Sequence, residues 1–267
     1  MKTNSHFLSV IIPVYKQATT IKQDLFSIND VLQQIRYDYE IIVVVDGINV
    51  DNSFQQAKKC HLKKLKVIGT KNNHGKGYAV RYGMAHAKGD YIAFIDAGME
   101  IDPNGLSMIL EHLEWYQADI IVASKRHPAS IVNYPLRRKI ISFGAQIIAK
   151  FLLGINVKDT QAGLKIFKRQ VLEKVLPRLL VKNYAFDLEI LSVANSLGFK
   201  RIFEAPIKLN YDFTSLTHAA GLKVIYHSLI DALAIFYRLR ILKYYADNNR
   251  RKWVYNSELK MRINTGK

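Results

Sequence analysis

The sequence predicts an α/β protein with a mostly parallel central sheet flanked by helices. Three observations carry that expectation: short β-branched runs recur, segments with helical spacing separate them, and polar clusters follow the runs. The runs are FLSVII (7–12), EIIVVV (40–45), LKVIG (65–69), YIAFI (91–95) and DIIVAS (119–124). None alternates polar with apolar residues, as expected of strands buried on both faces. Between them, Ile21, Leu25, Ile28 and Leu32, and later Leu106, Ile109, Leu110 and Leu113, recur at helical spacing. In an open sheet of this kind ligands lie outside the carboxyl ends of the strands. The segments to read for chemistry are therefore 13–17, 46–51, 71–76, 96–102 and 124–127.

After residue 130 the pattern changes. PLRRKIISFGAQIIAKFLLG (135–154) reads as an amphipathic helix opened by Pro135 and closed by Gly154. Its first turn carries Arg137, Arg138 and Lys139, and cations there oppose the helix dipole unless an anion sits nearby. FDLEILSVANSLGF (186–199) reads as a helix stopped by Gly198, and KRIFEAPI (200–207) as a late strand. Segment 222–245 is rich in Leu, Ile, Tyr and Phe yet carries Asp231, Arg238, Arg240 and Lys243. This suits a C-terminal amphipathic helix lying in a membrane surface. The basic stretch 247–267 is expected to be a mobile tail that adds attraction to anionic lipid. The resulting division is a main domain over 1–212 and an appendage over 213–267.

Composition narrows the partners. Lys and Arg number 39 against 22 Asp and Glu, a formal charge of +17, which implies an anionic partner. No nucleic-acid motif accompanies that charge, so nucleic acid is not the expected partner. The single cysteine, Cys60, offers no disulfide framework and fits a reducing compartment. There is no stretch of about 18 uncharged apolar residues, and Pro13 interrupts the apolar run near the start. The expected location is the cytoplasm, peripheral on the cytosolic face of a membrane.

Two motifs could carry chemistry. NHGKG (73–77) places Gly75 and Gly77 around Lys76 at a helix start, where free N–H groups and the helix dipole favour phosphate. A glycine-rich turn with a solvated lysine is the plain alternative. FIDAGMEIDP (94–103) sets Asp96 directly after a strand, as a ligand to Mg²⁺ or Mn²⁺ would stand. Glu100 could supply a second oxygen; otherwise Glu100 and Asp102 simply charge the first turn of the helix after Pro103.

The segments NHGKGYAVRYGMAHAKGDYIAFIDAG (73–98), DTQAGLKIFKRQV (159–171), YAFDLEIL (184–191) and DALAIFYRLRIL (231–242) together resemble the polyprenyl-phosphate glycosyltransferases of glycosyltransferase family 2, above all the dolichyl-phosphate β-glucosyltransferase branch, with the mannosyltransferases close by. The resemblance runs from about residue 7 to about residue 245. It implies a GT-A nucleotide-diphospho-sugar transferase fold. It also implies inverting transfer from a UDP- or GDP-linked sugar to a polyprenyl phosphate, with Mg²⁺ or Mn²⁺. Pro13, Tyr15 and Asp46 then fall on the nucleotide, with Gln17 where the family usually has Glu. Lys76 and Arg81 fall near the diphosphate, and Gln161 near the sugar hydroxyls. Asp96 falls on the metal. The family's second Asp is replaced by Gly98, and Glu100 is read as the displaced ligand. Arg126, Arg138 and Ser142 fall on the acceptor phosphate, and Asp159 on the acid near the attacking oxygen. Asp187 and Glu189 point to opposite sides of their helix, so one at most faces the pocket. The loop YDFTSLTHAAG (211–221) departs from the family, with Ser215 and Thr217 as partial substitutes.

A phosphate monoester with a second pKa of about 6 is already largely anionic at neutral pH. Such an acceptor can attack without a strong base, so alignment and charge neutralisation would carry the catalysis. Two other readings fit the donor motifs: transfer to a glycan hydroxyl, and a catalytically inactive nucleotide-sugar-binding partner. A homo-oligomer is compatible with all three.

Overall fold

A computed structural model describes residues 6–132, 152–210, 222–249 and 251–264, and no side chains over 222–228. Every predicted strand forms: β1 (Phe7–Val14), β2 (Asp38–Asp46), β3 (Leu65–Thr70), β4 (Tyr91–Ile95), β5 (Ile120–Ser124) and, late in the chain, β7 (Ile202–Pro206). An additional strand, β6 (Leu164–Lys168), completes a seven-stranded sheet in the order β3-β2-β1-β4-β6-β5-β7. β6 runs antiparallel to β4 and β5, and the other neighbouring pairs are parallel.

The apolar runs do not alternate because both faces are covered. Ile11 of β1 and Ile42 and Val44 of β2 enter one core. Leu8, Val10, Ile12 and Val14, with Ile41, Val43 and Val45, enter the other. Full burial of each such side chain stabilises by roughly 1.5–3 kcal/mol before chain entropy is subtracted. The second face is covered by α1 (Ile21–Gln33), α2 (Ser53–Lys58) and α4 (Gly105–Trp115). The first is covered by α3 (Lys76–His86), α5 (Arg169–Val175), α6 (Phe186–Ser196) and the buried residues of α7 (Leu222–Phe236). Gly198, at φ +97°, ends α6 as expected.

The predicted helix over 135–154 lies outside the described residues except for its end, where Leu152 and Leu153 are helical and Gly154 turns the chain at φ +69°. The expected domain boundary at 212 also lies outside them. The C-terminal region corrects one expectation. Instead of a mobile tail, β8 (Trp253–Asn256) and β9 (Met261–Asn264) pair as an antiparallel hairpin. The Arg178 guanidinium bonds the Tyr245 carbonyl and Asp247 and lies 5.1 Å from the Trp253 ring, which holds the hairpin to the main body.

Candidate functional site

β1 pairs with β2 on one side and β4 on the other, so the crevice between connections that leave in opposite directions opens at the ends of β1 and β4. Because β6 is antiparallel, its approach segment DTQAG arrives at this same edge. Ile95 pairs with Leu164, and the Asp96 N–H donates to the Gly163 carbonyl at 2.8 Å. Gly163 is required by closeness: a Cβ there would collide with the Asp96 carboxylate, 2.6 Å from Cγ.

Asp96 Oδ2 accepts the Lys76 Nζ at 2.7 Å, while Oδ1 is buried with no hydrogen-bond partner. Lys76 also lies 3.8 Å from Asp187 Oδ2. Asp187 Oδ1 accepts from the fully buried Lys165 Nζ at 2.6 Å, and that ammonium also donates to the Ala162 carbonyl. Acid and base therefore alternate, Asp96, Lys76, Asp187, Lys165, beneath the strand end. Both ammonium groups face the Phe94 ring, at 5.7 and 5.2 Å. Burial opposes the charge of Lys76, but Asp96 and Asp187 outweigh it and hold the group above the ordinary lysine range. At Lys165 burial wins over Asp187, and its pKa is lowered.

Lys76 opens α3, and the loop before it is fixed by Asp46. The Asp46 carboxylate accepts the Thr70 hydroxyl (2.9 Å) and the N–H groups of His74 (2.9 Å) and Gly75 (2.7 Å). Asp46 thus shapes the loop, and both its oxygens are already engaged. Gly75, at φ +101°, leaves no room for a side chain against Asn183 and Lys182. The glycines of NHGKG therefore answer to packing as well as to any phosphate.

The loop after Asp96 turns through Gly98 (φ +94°) and Met99 (φ +55°). Gly98 donates its N–H to Asp24 Oδ2 at 2.9 Å, and a Cβ at 98 would meet only the Gln17 Nε2 at 3.9 Å. Conformation rather than crowding favours glycine there. Glu100 is exposed, and its carboxylate has no partner among the described residues. Asp102 accepts from the Asn104 N–H and side-chain amide, which matches the helix-start reading. Among the described residues no three His, Cys, Asp or Glu side chains gather as a metal site.

At the end of β5, Asp159 is buried and accepts the Lys125 N–H at 3.0 Å, with the Lys125 ammonium 3.8 Å away. It thereby holds the residue next to Arg126. Gln161 is exposed beside it. Tyr15 is 44% exposed at the end of β1, Lys16 lies over its ring, and Pro13 is half-buried. Gln17 donates its N–H to Ser53 and accepts from Thr20. Arg81 joins a different set of partners from Lys76: it donates to the Leu179 carbonyl at 2.8 Å. Arg138 and Ser142, and the loop with Ser215 and Thr217, lie outside the described residues.

The helix acids separate as the spacing implies: Asp187 faces the lysines, while Glu189 accepts the Leu180 and Val181 N–H groups and the Tyr245 hydroxyl. Sequence reasoning missed Asp24 and Lys165. Asp24 lies three residues after Ile21 and one before Leu25, on the apolar stripe of α1, and a carboxylate in such a stripe is itself a signal.

The sheet order, the antiparallel β6 and the strand-end acid define a GT-A nucleotide-diphospho-sugar transferase fold. Glucosyl-3-phosphoglycerate synthase from Mycobacterium tuberculosis, crystallised with Mn²⁺, UDP-glucose and phosphoglyceric acid, shares it at a TM-score of 0.63 and 16% identity, over 86% of this chain and 80% of that one. Mannosyl-3-phosphoglycerate synthase from Rubrobacter xylanophilus superposes with a TM-score of 0.63 at 16% identity, over 88% of this chain and 74% of that one. The chain belongs to the Glycosyl transferase family 2, which it matches over residues 9–176. It is 32% identical over 205 residues to a dolichyl-phosphate beta-glucosyltransferase of Drosophila melanogaster, covering 71% of this chain and 63% of that protein. It is 28% identical over 209 residues to one of Dictyostelium discoideum, covering 72% and 63%. The matched region thus spans somewhat under two thirds of those relatives.

Proposed function

We propose that the chain transfers a sugar, with inversion, from a nucleotide diphosphate sugar to a polyprenyl phosphate at the cytosolic face of a membrane, with UDP-glucose the first donor to test. The names of the curated relatives support the acceptor class and the glucosyl group. The observation that carries the reading is the Asp96 carboxylate, with Oδ2 on Lys76 and Oδ1 buried without a hydrogen-bond partner. That unpartnered oxygen fits a divalent cation. Asp96 and Glu100 would hold Mg²⁺ or Mn²⁺, which would supply positive charge against the diphosphate.

In this reading the Lys76 ammonium and the N–H groups of Lys76 and Gly77 at the start of α3 bind the donor phosphates, the Tyr78 N–H being taken by the Lys182 carbonyl. Tyr15 and Pro13 face the base, and Gln161 the sugar. Arg126, with Arg138 and Ser142, binds the acceptor phosphate through forked hydrogen bonds. Asp159 keeps the 125–126 backbone in place and orients the acceptor. An acceptor oxygen forms the new bond to the anomeric carbon as the bond to the nucleotide diphosphate breaks. The acceptor is already ionised, so no residue need remove a proton. Leu229, Ile230, Leu233, Tyr237, Ile241 and Leu242 are exposed along α7 and the π-helical turn after it, beside Arg238 and Arg240. That combination suits insertion into an anionic membrane surface. Among the described residues no helix is long and apolar enough to cross a membrane.

The test is a transfer assay with purified protein, short-chain polyprenyl phosphate and labelled nucleotide sugars, with Mg²⁺, Mn²⁺ or chelator. A labelled, organic-extractable, acid-labile product that disappears with chelator is expected. Saturable nucleotide-sugar binding without product from any donor would sink the reading.

A further inference from the structure

We infer that a second anion site, suited to a phosphate group, lies between α3 and the C-terminal hairpin and is formed by Arg81 and Arg251. Lys76 and Arg81 are five residues apart on α3, about 140° around the helix, so Arg81 addresses a different flank from the strand-end crevice. The hairpin lies on that helix: Tyr78 donates its hydroxyl to Glu258 at 2.6 Å.

Arg251 is 8% exposed, its guanidinium stacks 3.3 Å from the centre of the Tyr244 ring, and Nη1 donates to the Tyr244 carbonyl at 3.2 Å. Its Nε and Nη2 are buried and have no acceptor. Arg81 repeats the pattern: Nη1 donates to the Leu179 carbonyl, while Nε and Nη2 are buried without a partner. Two guanidinium groups thus each leave two buried donor nitrogens unused. Native interiors rarely leave such groups unpaired, and an unpaired charged donor is the most costly kind.

The carboxylates of the region are occupied. Glu189 acts on both arginines, but its oxygens take the Leu180 and Val181 N–H groups and the Tyr245 hydroxyl, and Glu258 accepts from Tyr78. Burial holds both guanidinium groups below the ordinary arginine range, Arg81 at about 10, where the charge of Arg251 adds to the effect. An arriving anion would relieve both. A phosphate offers at least three oxygens and nearly two negative charges to two forks, which matches this set better than a carboxylate does. Arg81 lies within the segment matched to the family, residues 9–176, and Arg251 lies beyond it.

The experiment follows thermal unfolding of the full chain against inorganic phosphate at constant ionic strength set with chloride. It compares wild type, Arg251→Gln, Arg251→Lys and Lys76→Gln. Phosphate is expected to raise the midpoint of wild type and of Lys76→Gln, and Arg251→Gln is expected to weaken the apparent affinity about tenfold or more. Arg251→Lys keeps the charge without the fork, so it guards against a folding failure and is also expected to lose affinity. A response retained in Arg251→Gln and Arg251→Lys, lost in Lys76→Gln, or matched by chloride would overturn the site. Vesicles of phosphatidylcholine with phosphatidic acid identify the source. Sedimentation that falls in Arg251→Gln assigns the site to a lipid headgroup, and unchanged sedimentation beside an Arg251-dependent phosphate response assigns it to a soluble phosphate. No arm measures transfer, so the result is independent of the transferase reading.

Discussion

The Lys76 ammonium lies 2.7 Å from Asp96 Oδ2 and 3.8 Å from Asp187 Oδ2, so one side chain bridges a strand-end acid and a helix acid. Lys76→Met removes the cation that balances both and that faces the donor phosphates in the proposed site. Its kcat/KM is expected to fall at least about 100-fold, the scale of losing a pre-organised charged donor. Steady-state transfer kinetics, with nucleotide binding measured separately, check this.

Gly163→Ala places a methyl group against the Asp96 carboxylate. The overpacked site is expected to cost about 1–3 kcal/mol of stability and to weaken metal-dependent donor binding. Urea unfolding and calorimetric titration of UDP with Mn²⁺ read the two effects. Wild-type donor affinity would show that Asp96 is free to move.

Lys165→Met leaves the Asp187 carboxylate buried with only the more distant Lys76 for a partner. A loss of about 3 kcal/mol is expected. The double variant Lys165→Met with Asp187→Leu should recover much of it, because an apolar pair of similar volume has no buried charge to satisfy. A double variant no more stable than Lys165→Met would argue against this account.

Asp24 gives a pH prediction. Burial pushes its carboxyl up, against the pull of the Gly98 N–H and the Thr20 hydroxyl. A folded pKa above the unfolded one means that its stabilising contribution is full below the ordinary aspartate range and is lost as pH rises through the folded value. Asp24→Asn has no charge to bury and still offers an acceptor to Gly98. It is therefore expected to melt above wild type at neutral pH, with the difference closing below about pH 4. Melting curves across that range decide it.

Glu100→Ala tests the displaced ligand. Its side chain has no structural partner among the described residues, so the fold should be unaffected while activity is abolished if Glu100 holds the cation. Near wild-type activity would remove Glu100 from the metal site. Gly98→Asp in that background should recover part of the loss, limited by the left-handed backbone at 98.

The strands were legible because each apolar run serves both faces of the sheet, a pattern that needs no knowledge of partners. β6 was not, because Lys165 interrupts its run and becomes intelligible only once Asp187, 22 residues later, arrives beneath it. Lys76 and Asp96 could be placed at strand or helix ends from the sequence, but their contact depends on β3, α3 and β4 packing together. The role of Asp46 was less visible: the sequence puts it at a strand end, whereas only the folded loop shows the His74 and Gly75 N–H groups consuming its oxygens. The hairpin was missed because its two four-residue strands, WVYN and MRIN, are set among the basic and polar residues of 247–267, so that the whole stretch reads as tail.

That hairpin has a consequence for how the chain comes to be folded. The Tyr78–Glu258 hydrogen bond joins residues 180 apart in sequence, and the buried Leu259 sits at the same tip. Contacts of such separation form late, after the loop-closure entropy has been met by the sheet between them. During synthesis, α3 must therefore wait, its outer flank bare, until the ribosome has released residues 251–264.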